Sequence, residues 1–109
     1  MKFDFASRTV WIGLAHARPS PNNTIVEDAL GAYVTVLALA YNREHFAEMV
    51  ANALEAHNFA LLDLDDDEPL EARGGRADIN PEIAVLAQQA VITEEVQFHT
   101  FHSYEEPMA

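Results

Sequence analysis

Two spacings of apolar residues alternate along the chain. Residues 9–17 (TVWIGLAHA) are rich in β-branched and aromatic side chains and predict a strand. RPSPNN at 18–23 ends it, because proline lacks a ladder donor and asparagine suits turns. Upstream, Phe3 and Phe5 flank Asp4 in an alternating pattern that predicts a short first strand. Thr24 and Glu27 have capping-box spacing, which predicts a short helix closed by Gly31. Residues 33–41 (YVTVLALAY) are apolar on both faces, the mark of a central strand.

The period then changes. Asn42 caps a helix from Arg43 to about His57 whose stripe is Phe46, Met49, Val50, Ala53 and Leu54. Asn58 suits a left-handed terminator. FALLDL at 59–64 is the next strand, so a parallel strand–helix–strand unit is expected. Residues 65–77 form a charged loop with Gly74 and Gly75 as its flexible point. Asn80-Pro81-Glu82 starts a second helix with the stripe Ile83, Leu86, Ala87 and Ala90. VQFHTFHSY at 96–104 is a closing strand, and 105–109 a frayed tail.

This order predicts one α+β domain over residues 1–109. The expected sheet is mixed, with four or five strands and two main helices on one face, a variant of the ferredoxin-like arrangement. At 109 residues, half of them hydrophobic, the chain fills one modest core.

Charge narrows the function classes. Six Lys and Arg stand against 18 Asp and Glu, for a formal charge of −12. Such a surface repels nucleic-acid phosphates and anionic membranes, and favours a basic protein partner. The absence of cysteine excludes disulfides, thiolate metal sites and thiol nucleophiles, and favours the cytoplasm. The first residues lack a secretory layout, and no apolar run suffices for a membrane helix.

Carboxylates are densest in LDLDDDEPLE at 62–71, where Asp63, Asp65, Asp66, Asp67, Glu68 and Glu71 place six acids in nine residues. A calcium site is one reading, but the EF-hand register puts Glu68 where glycine belongs and Gly74 where the bidentate Glu belongs. A docking surface for a Lys/Arg-rich protein is the second, with Leu70 beside Pro69 as an apolar anchor. A solvated loop that discourages strand association is the third.

His99 and His102 form an H-x-x-H. On a regular strand their side chains diverge and share one metal only if a bulge intervenes. No glycine-rich phosphate loop or nucleophile elbow is present. No cofactor is indicated.

The run GAYVTVLALAYNREHFAEMVANALEAHNFALLDLDDDEPLEAR at 31–73, with the closing VQFHTFHSY, resembles in layout the small acidic immunity proteins of bacterial polymorphic or contact-dependent toxin systems. The likeness covers about half the chain. It implies neutralisation of a cognate toxin domain by tight binding, with Asp63, Asp65, Asp66, Asp67, Glu68, Leu70 and Glu71 meeting the toxin's basic residues. Two other readings stay open. One is a small metal- or ligand-dependent enzyme using His99, His102 and nearby carboxylates, with Trp11 or Tyr104 lining its pocket. The other is a homo-oligomer, such as a homodimer, burying the extra-apolar face of 33–41.

Overall fold

A computed structural model describes residues 8–21, 30–72 and 80–104. The expected strand at 3–5, most of the expected helix at 24–30, the Gly74–Gly75 point and the tail at 105–109 lie outside them. The described chain runs β1 (Thr9–Pro19), β2 (Gly31–Ala40), α1 (Arg43–Ala56), β3 (Phe59–Pro69), a single 3-10 turn (Leu70–Ala72), α2 (Pro81–Thr93) and β4 (Gln97–Tyr104).

The fold is α+β, and the described residues form four strands in the order β3-β1-β2-β4. Every neighbouring pair of described strands is antiparallel, so the sheet they form is not the mixed one expected. β2 and β3 do run in the same direction, as the strand–helix–strand reading requires, but β1 lies between them. The hairpin strands β1 and β2 took the two central places, leaving β3 and β4 as edges.

Alternation along β1 and β2 gives the sheet two distinct faces. Trp11, Gly13, Ala15 and Ala17 oppose Ala38, Val36, Val34 and Ala32 on the first. Here α1 lays down Phe46, Val50 and Leu54, all fully buried. The fit is tight under Phe46, because a side chain at Gly13 would press on its ring. The small residues matter at the other end. Ala15, Ala17 and Ala32 leave space over the sheet, and Phe59 from β3 reaches across to stack on Phe101 from β4 at 5.0 Å.

Asn42 begins α1 with its side-chain oxygen accepting from the His45 amide at 2.8 Å. Asn58 ends it at φ 65, as its residue type suggests. α2 starts on Asn80, whose Oδ1 accepts from the Glu82 amide at 2.7 Å, with Pro81 in the first turn.

The second face carries Val10, Ile12, Leu14 and His16 against Leu39, Leu37, Thr35 and Tyr33. Ile12 and Leu37 are buried yet stand apart from the main core, as does Ala90, the buried residue of α2. α2 packs on β2, β4 and β1, and its ends are tied by Glu82 to His99 and by Glu94 to Arg8. Arg8 and His99 continue the second face by alternation. The helices therefore occupy opposite faces, correcting the expectation that both share one. The apolar second side of residues 33–41, a reason to expect a subunit interface, is used within the chain, where Leu37 is fully buried.

Gly31 does not close a helix in the left-handed region. It opens β2 with no positive φ, and glycine is needed there for space, since a Cβ would collide with the phenol of Tyr104.

Candidate functional site

The acid run is not a loop. β3 continues through it to Pro69, paired with β1 from Pro19↔Phe59 to Trp11↔Pro69. Acidic residues have weak strand propensity, so the ladder and side-chain burial must hold them there. Strict alternation from Phe59 would turn Asp63 and Asp65 into the core. Two irregularities prevent it. β3 has one extra residue between the His16↔Asp63 and Ala17↔Leu61 pairs, and another between Ile12↔Glu68 and Leu14↔Asp65. Asp66 sits at the second with φ 54, a conformation Asp tolerates. Leu61 and Leu64 thus pack against the core while Asp63, Asp65 and Glu68 pair across to the second face.

The seven residues singled out in 63–71 therefore meet different fates. Asp63, Asp65, Asp66 and Glu71 are exposed; Asp67, Glu68 and Leu70 are half-buried. Asp67 is engaged on the α1 side, where its Oδ2 lies 2.9 Å from Arg43 Nε and its carbonyl accepts from Arg43 Nη2 at 3.1 Å. Asp63 turns one oxygen back to accept from the Leu64 amide at 3.0 Å. What remains is a carboxylate-lined outer edge with the exposed, bulged Leu62 among the acids.

A second constellation lies on the second face, beyond the Glu82 end of α2. His16 stacks on Tyr33 with ring centroids 4.4 Å apart and planes 11° from parallel. The His16 Nε2 and the Tyr104 hydroxyl are 2.6 Å apart, with the donor set by the imidazole tautomer. Cross-strand pairing carries this row over all four strands: Asp63 opposite His16, His16 opposite Tyr33, Tyr33 opposite His102. In the sequence, His16 is no more than one residue near the end of the 9–17 run. The missing signal was the register, which no local pattern contains. Chemically the row joins one hydrogen-bonded histidine–tyrosine pair to a stack of rings. It satisfies a half-buried phenol and pins β4 to the centre of the sheet.

His99 and His102 need a correction. β4 carries two residues against one of β2 between Val34↔Phe101 and Val36↔Phe98. This irregularity puts Phe98 and Phe101 together on the α1 side and turns both histidines to the second face, where a regular strand would divide them. They are still not joined in one site. His99 Nε2 donates to Glu82 Oε1 at 2.6 Å, and among the described residues no three His, Asp or Glu side chains group to hold a metal. An open groove of about 440 Å³ runs beside this pair, lined by Glu82, Val85, Leu86, Phe98, His99 and Thr100. Trp11 does not line it. Trp11 packs against Phe46 under the Arg43 guanidinium, its Nε1 buried without a hydrogen-bond partner.

Among the described residues no helix is long and apolar enough to cross a membrane. No protein-family model matches the chain, and neither a curated protein nor a solved structure matches it.

Proposed function

We propose that the protein is a binding module whose edge strand β3 receives a basic protein partner. The observation that carries this reading is the placement of the acid run. The carboxylates of Asp63, Asp65, Asp66 and Glu71 stand exposed along the outer strand of a chain with a formal charge of −12. An acidic edge raises the local negative potential, which speeds encounter with a Lys/Arg-rich surface and disfavours acidic competitors. Leu62, exposed among the acids, offers apolar contact at the same edge. Asp67 is set apart from the contact set, because Arg43 already holds it.

The layout resemblance to bacterial immunity proteins supplies the partner class: a toxin domain whose basic, substrate-holding surface would meet this edge. The test is charge reversal at residues whose backbone tolerates it. Asp63→Lys, Asp65→Lys and Glu71→Lys would be combined, leaving Asp66 in its left-handed conformation. In affinity capture from the native cell lysate at low salt, the parent is expected to retain a basic protein that elutes as salt rises. The triple variant is expected to bind it at least about tenfold more slowly. A variant that captures the same protein equally well removes β3 as the contact surface.

A further inference from the structure

We draw no further inference here: the strongest candidate, the open groove between α2 and β4 where Val85 and Leu86 lie beside the Glu82–His99 pair, carries nothing, because nothing in the structure shows what covers it.

Discussion

The two edges of the sheet solve the same problem in opposite ways. An edge strand exposes backbone donors and acceptors that invite a further strand. β3 answers with acids, two irregularities in its pairing and a helix packed closely beneath it. β4 carries no acid, has one irregularity, and is flanked by a helix that buries little of itself. The first edge is electrostatically closed to a copy of this chain and open to a cation. The second is closed to neither by charge. The difference also runs into the core. Under β3, α1 inserts Phe46, Val50 and Leu54. Over β2 and β4, α2 inserts Ala90. Burial of apolar area is the main stabilising contribution, so the α1 flank should be the firmer one, and native-state hydrogen exchange should show α2 opening first.

Substitutions sharpen this contrast in descending order. Phe46→Ala removes a fully buried ring that packs on the Gly13 backbone, and should cost about 3–5 kcal/mol in urea unfolding. A loss below about 1 kcal/mol would mean the α1 flank is not the firmer one. On the β4 side, Gly31→Ala forces a methyl group against the Tyr104 phenol and should cost about 1–3 kcal/mol. In the same variant, NMR of the His16 ring should report loss of its contact with Tyr104. Tyr104→Phe removes only the hydroxyl 2.6 Å from His16 Nε2, and its expected cost is about 0.5–1.5 kcal/mol. Smallest of these is Arg43→Ala. The Arg43 side chain that pairs with Asp67 is 66 % exposed, so solvent screening keeps the loss below about 1 kcal/mol. A larger penalty there would show that the ion pair, rather than burial of Leu61 and Leu64, holds the acid strand in place.

Local chemistry explains what could be read in advance. Asn42 and Asn80 announce helix starts because a side-chain oxygen satisfies an otherwise unpaired amide, and both do so here. Asn58 announces a helix end because Asn tolerates positive φ. The three-and-four spacing of Phe46, Val50 and Leu54 marks the buried side of α1. Where local chemistry was the only guide, it misled. Residues 65–69 look like loop because Asp and Glu are poor strand formers, yet pairing with β1 keeps them extended. The H-x-x-H looks divergent on an ideal strand, and the irregularity that aligns its two histidines has no marker in VQFHTFHSY. The His16–Tyr33–Tyr104 cluster joins residues up to 88 positions apart and exists only once the register is set.

By itself, the sequence determined the α+β class, the two helices with their caps, the strong negative charge and where the acids are densest. These follow from neighbouring residues, through capping, periodicity and simple charge. Only the tertiary structure decided that the described strands pair antiparallel throughout, that the helices lie on opposite faces and that the acids ride on an edge strand. Those outcomes depend on which distant segments pair and in what register. A single inserted residue in a strand turns every later side chain to the other face, so the choice is made by packing across the sheet and by nothing the chain carries locally.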